Sequence, residues 1–276
     1  MKARMTAPPN LSSALSGKDA DQRDFVRALA RGLGVIESFE GVQYALTLSE
    51  VAARAGLSRG TVRRALITLQ TLGYVSEDRG RFALTPRTLR LGYSYLSSQP
   101  IWTLARPYIE DLNARTNETS SLAVLDEGMI VYLLRVTTPR LLHDKLAIGS
   151  RLAAYPASMG RVLLAALPDE ALDAYFASTP LKPLTPLTIV DEKRLRSIIQ
   201  QVREAGYAVN DQEMEMGLRS IAVPISDGEG KTIAALNISA SAARTSYMEM
   251  EKDFLPELRE VAAKITDLLR HAGIRA

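Results

Sequence analysis

Cysteine is absent from the 276 residues, and histidine occurs only at His143 and His271. Without cysteine there is no disulfide, no thiolate metal site and no cysteine nucleophile. That composition fits a reducing compartment, and a cytoplasmic location is expected. The two histidines lie far apart, neither beside a convincing aspartate, and the His/Asp/Glu spacing suggests no metal site. A catalytic triad is therefore not expected, and neither is a metal or another cofactor. No apolar run approaches the roughly 18 residues of a membrane span, and no signal-peptide pattern opens the chain. A membrane is thus not an expected partner.

What is present is ample apolar content, 46% of the residues, in a length that suggests about two domains. Charge is unevenly placed. Residues 1–100 hold 14 Lys/Arg against 8 Asp/Glu, and residues 101–276 hold 20 against 23. The excess of positive charge in the first part is what a nucleic-acid footprint requires, although chance asymmetry gives the same count.

The stretch TLSEVAARAGLSRGTVRRALITLQTLGYVSEDRGRFAL, Thr47 to Leu84, organises that first part. Thr47 and Glu50 have capping-box spacing. Leu48, Val51, Ala52 and Ala55 then recur at helical spacing. Gly56 permits the left-handed conformation that closes a helix, and Ser58 can cap the next one. In that second helix Val62, Ala65, Leu66, Leu69 and Leu72 are expected to face inward. Ser58, Arg59, Gly60, Thr61, Arg63 and Arg64 gather small and basic residues at its start, as a helix entering a major groove requires. Asp78-Arg79-Gly80 marks a turn between two strand-like runs, a wing with Arg79 and Arg81 near its tip. The alternative is an ordinary two-helix corner with a surface hairpin.

Around this motif, residues 1–22 read as a polar tail. Asp24–Phe39 reads as a helix with Phe25, Leu29, Leu33 and Ile36 packed behind the motif. The winged helix-turn-helix domain is placed at 23–85 and a linker helix at 86–100. Leu89, Tyr93 and Leu96 on that helix face either their own domain or a partner subunit. Residues 101–276 read as an α+β domain. Expected strands are Ser120–Leu125, Met129–Val136, a weaker Leu142–Ile148, Ser220–Ile225 and Ile233–Ser239. Expected helices include Trp102–Thr116, Ser158–Leu167, Asp191–Ala205 and a C-terminal one. The last carries Phe254, Leu258, Val261, Ile265 and Leu268 inward, with Pro256 as a kink.

The stretches FVRALARGLGVIESF, SRGTVRRALITLQTLGYV, YPASMGRVLLA, REAGYAVNDQEMEMGLRSIAVPI and ALNIS carry a resemblance. The chain resembles the isocitrate lyase regulator (IclR) family of transcription factors over nearly all its length after residue 22. Within it, the chain is most similar to regulators of protocatechuate and 4-hydroxybenzoate catabolism. The resemblance implies an N-terminal winged helix-turn-helix, a linker helix and a GAF-like C-terminal domain that binds a small acid. It also implies a double-stranded DNA operator and a homodimer or tetramer. The family's effector pocket maps onto Ser158, Met159, Gly160, Asn210, Ser220, Asn237 and Ser239. Asn210 replaces an aspartate common in the family, and Asn237 stands where a serine is seen; both argue against glyoxylate or pyruvate.

Physical chemistry agrees in kind. A helix start at Ser158–Gly160 offers free N–H groups to a carboxylate. Tyr155, Met159 and Leu146 can wall a cavity. Arg135 stands late in an apolar run and either pairs a ligand carboxylate or serves an internal ion pair or an outer strand face. Arg219 reads as structural, His143 as a rim residue, and Lys145 as a solvated charge. The PASMGR run lacks the G-x-S-x-G frame of a nucleophile turn, so a regulator is expected rather than an enzyme.

Overall fold

The computed structural model describes residues 25–98, 100–138 and 146–273. The expected tail over 1–22, His143, Lys145 and residues 142–145 of the weaker strand lie outside the described residues. The chain divides into two compact units, the first ending at Tyr95 and the second beginning at Leu96.

The first unit holds α1 (Arg27–Glu37), β1 (Leu46–Thr47), α2 (Leu48–Ala55), α3 (Arg59–Thr71), β2 (Val75–Asp78) and β3 (Arg81–Leu84). Thr47 caps α2 by accepting from the Glu50 N–H, and its own N–H donates to the Glu50 carboxylate at 2.7 Å. Those bonds from the Thr47 N–H and hydroxyl hold the Glu50 carboxyl below its ordinary pKa. Gly56 ends α2 at φ 63°, and Ser58 caps α3. Val35, Phe39, Leu46, Val51, Val62, Leu66 and Leu69 form the core. The wing is a three-stranded antiparallel sheet in the order β1-β3-β2, one short strand more than the sequence signals.

Two expectations are corrected here. Leu72 is half exposed because α3 ends at Thr71 and Leu72 is its C-terminal cap. Phe25, Leu29 and Leu33 are exposed, whereas α1 buries Gly34 and Val35. The helix packs α2 and α3 through the adjacent stripe that Ser38 and Phe39 continue.

After a single 3-10 turn at Pro86–Thr88, α4 (Leu89–Ser98) exposes Leu89, Leu91, Tyr93 and Tyr95, while Leu96 packs on the second core. The second unit continues with α5 (Pro100–Thr116), β4 (Thr119–Asp126), β5 (Met129–Val136), β6 (Arg151–Ala153), α6 (Ser158–Ala165), α7 (Asp169–Ser178) and α8 (Glu192–Ala205). It ends with β7 (Ala208–Asp211), β8 (Leu218–Ser226), β9 (Thr232–Ser241), α9 (Tyr247–Glu249) and α10 (Leu255–His271). The six strands form an antiparallel sheet in the order β6-β5-β4-β9-β8-β7.

Each sheet face buries its own core. Leu122, Leu134, Ile221, Leu236 and Ile238 meet Ile109, Leu112, Leu258 and Ile265 of α5 and α10. The opposite face offers Ala123, Tyr132, Ala222 and Ala235 to Met159, Val162, Leu195 and Ile199 of α6 and α8. Small residues on this face let the helices approach closely.

Three further differences appear. Residues 146–148 are not strand, and the edge strand is instead Arg151–Ala153. β7 is a strand that the sequence signals did not mark. In α10, Leu255 and Leu269 are buried where Phe254 and Leu268 were expected, and those two are half-buried. A π turn over Met250–Phe254 precedes α10, so Pro256 falls in its first turn, where a missing N–H breaks no helical bond. No helix among the described residues is long and apolar enough to cross a membrane.

Candidate nucleic-acid interface and ligand site

The start of α3 is built by its cap. Ser58 Oγ accepts the Thr61 N–H at 3.3 Å and lies 3.0 Å from the Thr61 hydroxyl. Ser58, Arg59, Gly60, Arg63 and Arg64 are exposed and Thr61 is half-buried. A Cβ on Gly60 would meet nothing within 4 Å, so the first turn of α3 is an open surface. The arginines differ in freedom. Arg59 donates to the Ser49 hydroxyl, whereas the side chains of Arg63 and Arg64 have no hydrogen-bond or ion-pair partner among the described residues.

At the wing tip Arg79 has φ 50° and Gly80 φ 75°, the twist of a tight hairpin turn. The Glu77 carboxylate accepts the Gly80 N–H at 2.9 Å and leaves Arg79 exposed. Arg81 donates to the Ala45 carbonyl at 3.1 Å, so it braces the wing as well as charging it.

In the second unit, strand register collects polar residues on the sheet face beneath α6. Directly opposed residues share a face. One row runs Arg135, Ser121, Asn237, Ala222 across β5, β4, β9 and β8. The next runs Thr119, Ser239, Ser220, Asn210 across β4, β9, β8 and β7. The chain entering α6 is fastened to the second row at two points. Ser158 Oγ lies 2.8 Å from Ser220 Oγ, and the Asn210 amide donates to the Pro156 carbonyl. In the sheet itself, Asn237 Nδ2 donates to Ser239 Oγ at 3.0 Å. Ala157 caps α6 without a side-chain bond, which leaves the first-turn N–H groups without a side-chain acceptor.

Apolar residues surround this polar floor. Tyr155, Met159 and the half-buried Leu146 belong to one cluster with Tyr132 and Ala222. The Tyr155 hydroxyl bonds both the carbonyl and the N–H of Lys182, and burial raises its pKa above the ordinary phenol value. Arg135 is half-buried, with its guanidinium carbon 6.0 Å from the centre of the Tyr132 ring. Its Nε is fully buried, with no partner among the described residues. Gly160 has a packing role, because a Cβ there would overlap the Ala154 carbonyl.

Thus Arg135, Ser158, Asn210, Ser220, Asn237 and Ser239 converge on one face, with Leu146, Tyr155 and Met159 beside them. Arg219 is structural: it pairs with Asp211 at 2.9 Å and donates to the Thr245 carbonyl. The sequence reading missed Thr119 and Ser121, the inward positions at the start of β4, where alternation alone marks a face without saying what covers it. It also missed Arg161 and Glu213, which form a buried ion pair.

Residues 28–79 match the IclR helix-turn-helix domain, and residues 93–267 match the C-terminal domain of bacterial IclR transcriptional regulators. The chain is 42% identical over 255 residues to the Pca regulon regulatory protein of Pseudomonas putida, covering 91% of this chain and 88% of that relative. It is 36% identical over 261 residues to the p-hydroxybenzoate hydroxylase transcriptional activator of Acinetobacter baylyi, covering 92% and 96%. It also resembles the crystal structure of an IclR homolog from Microbacterium hydrocarbonoxydans complexed with 4-hydroxybenzoate. There the identity is 28%, the TM-score 0.76, and the coverage 88% of this chain and 99% of that one. A winged DNA-binding unit joined to an α+β ligand domain, matched by both family models, makes this chain a member of the IclR family of bacterial transcriptional regulators.

Proposed function

We propose that this regulator controls genes of aromatic-acid catabolism and that a monoaromatic carboxylate, 4-hydroxybenzoate or protocatechuate, sets its affinity for a double-stranded operator. Arg135 carries the reading. Its Nε is buried with no partner among the described residues, and Arg135 stands at the end of the row of small polar side chains beneath α6, in otherwise apolar surroundings. A cation so placed calls for an anionic partner, and a carboxylate is the fitting one. The α6 N-terminus adds amides and a partial positive charge. Asn210 brings no negative charge to repel the anion. The names of the two relatives and the ligand of the M. hydrocarbonoxydans protein support an aromatic ring.

In this reading Arg59, Thr61, Arg63 and Arg64 enter a major groove, and Arg79 and Arg81 contact phosphates. Residues 23–85 bind DNA, 86–100 link, and 101–276 sense the acid, in the cytoplasm where the operator is. Leu89 and Tyr93, exposed on α4, supply part of a homodimer face, and paired half-sites on DNA call for at least a dimer.

Calorimetric titration of the full chain with 4-hydroxybenzoate, protocatechuate and pyruvate tests the ligand class. Aromatic acids bind, and Arg135→Ala weakens them by about tenfold or more while operator binding without ligand persists. Binding of pyruvate with no binding of either aromatic acid would overturn the reading.

A further inference from the structure

Thr119 and Ser121 of β4 are fully buried, and neither hydroxyl has a hydrogen-bond partner among the described residues. Buried hydroxyls are rarely left so, because desolvation is then uncompensated. Two more orphaned atoms lie on the same sheet face, Arg135 Nε and Asn237 Oδ1. Ser121 is directly opposed to Arg135 on one side and to Asn237 on the other. Three orphaned groups therefore stand side by side in one row, with backbones spanning two strand spacings, roughly 9–10 Å. Ser120 is orphaned too, but it alternates to the opposite face of the sheet and joins no such row.

The donor and acceptor inventory of the row defines its complement. Arg135 Nε–H donates only, and a carboxylate oxygen accepts from it. Asn237 spends Nδ2 on Ser239, so its Oδ1 still needs a donor. A carboxylate has none to give. A ligand hydroxyl has one, and its oxygen can in turn accept from Ser121. The row is satisfied by an acid that carries a hydroxyl at the end remote from the carboxylate, and benzoate itself leaves Asn237 and Ser121 unpaired.

We infer that Ser121, with Asn237, is a specificity-determining residue that selects hydroxylated over unsubstituted aromatic acids. The Ser121 hydroxyl donates to the phenol oxygen, and the phenol O–H donates to Asn237 Oδ1. This rests on the aromatic-acid reading of the site and adds the feature of the ligand that is selected.

The test is calorimetry of the full chain and its Ser121→Ala variant with 4-hydroxybenzoate and with benzoate, together with ligand-free melting. The wild type prefers 4-hydroxybenzoate by about tenfold or more, since a site built for a hydroxyl rejects the analogue lacking it. In Ser121→Ala that preference shrinks about tenfold, through lost 4-hydroxybenzoate affinity, while benzoate affinity stays within about threefold. The ligand-free variant melts no lower than wild type, because the deleted hydroxyl had no partner. An unchanged preference in Ser121→Ala, or a lowered ligand-free melting temperature, overturns the role of Ser121. Failure of the wild type to bind either acid overturns the aromatic reading itself and this inference with it, so the two failures are told apart by the protein in which they appear.

Discussion

Arg161 and Glu213 form a bidentate ion pair inside the second unit, with Nη1 and Nη2 each 2.7 Å from one carboxylate oxygen and both side chains buried. The pair is closed by further bonds. Arg161 Nε donates to the Tyr155 carbonyl at 3.0 Å, and the Glu213 carboxylate accepts the Ile189 N–H at 3.0 Å. The Thr188 hydroxyl donates to the Glu213 carbonyl at 2.6 Å. One ion pair thus holds together α6, the loop after β7 and the segment before α8.

Cutting this pair on one side strands a buried charge, which costs about 3–5 kcal/mol. Arg161→Met and Glu213→Leu are each expected to lower stability on that scale in urea unfolding. The double variant Arg161→Met with Glu213→Leu is expected to lose less than the two single losses added, since it leaves no unpaired charge. Single losses below about 1 kcal/mol would mean that water reaches the pair.

Two glycines separate packing from access. Gly160→Ala forces a methyl group into the Ala154 carbonyl, and overpacking of this kind costs about 1–3 kcal/mol. It should also weaken effector binding, since the start of α6 must shift. Gly60→Ala meets open space in a helical turn and should leave stability unchanged or slightly raised. A melting curve for each variant decides the matter, and equal destabilisation would refute the contrast.

Local chemistry was legible in the sequence where one short segment contains both partners. The Thr47/Glu50 box, the Gly56 and Ser58 caps, and the turn at Arg79-Gly80 are of this kind. The buried side of α1 was not legible, because Phe25, Leu29 and Leu33 make as good an apolar stripe as the one that packs. In α10 the middle of the stripe was legible as Leu258, Val261 and Ile265, and only its ends lie one residue on, at Leu255 and Leu269. The two-residue β1 was too short to announce itself. At the proposed ligand site, family resemblance named Ser220, Asn237 and Ser239, and strand register places them on a common face. Ser121 and Thr119 escaped notice because their neighbours are set by pairing across strands distant in sequence. Arg161 lies in the apolar run SMGRVLLA with its partner 52 residues away, beyond any helical or strand period.

Alkaline stability should depend on buried phenols. Burial pushes the Tyr132 hydroxyl up to about 12 from an ordinary 10.0. A folded-state pKa above the unfolded one gives stability that is fully present below pH 10 and is lost as pH rises toward 12. Urea midpoints measured at pH 8 and pH 11 should therefore fall for the wild type, and fall less for Tyr132→Phe. Equal falls in the two proteins would assign the alkaline sensitivity elsewhere.

The basic surface of the first unit divides by what each arginine already holds. Arg59 is tied to Ser49 and Arg81 to the Ala45 carbonyl, whereas the side chains of Arg63, Arg64 and Arg79 hold no partner among the described residues. Base reading should fall to α3. Arg63→Ala is expected to cost about 1–3 kcal/mol on the operator and to relax preference among bases at one position. Arg79, alone at the wing tip, should act on phosphate. Its alanine variant should weaken operator and unrelated DNA alike and reduce the salt slope by about 1. Arg81→Ala should do the same and in addition lower the melting temperature of the unit, because the brace to Ala45 goes with the charge. Fluorescence anisotropy across a salt series, on operator and scrambled duplexes, separates base reading from phosphate contact, and a melting curve of each variant separates Arg81 from Arg79. A uniform loss from Arg63→Ala with an altered slope would move Arg63 to the backbone. A sequence-dependent loss from Arg79→Ala would place the wing in a groove and not on the phosphates.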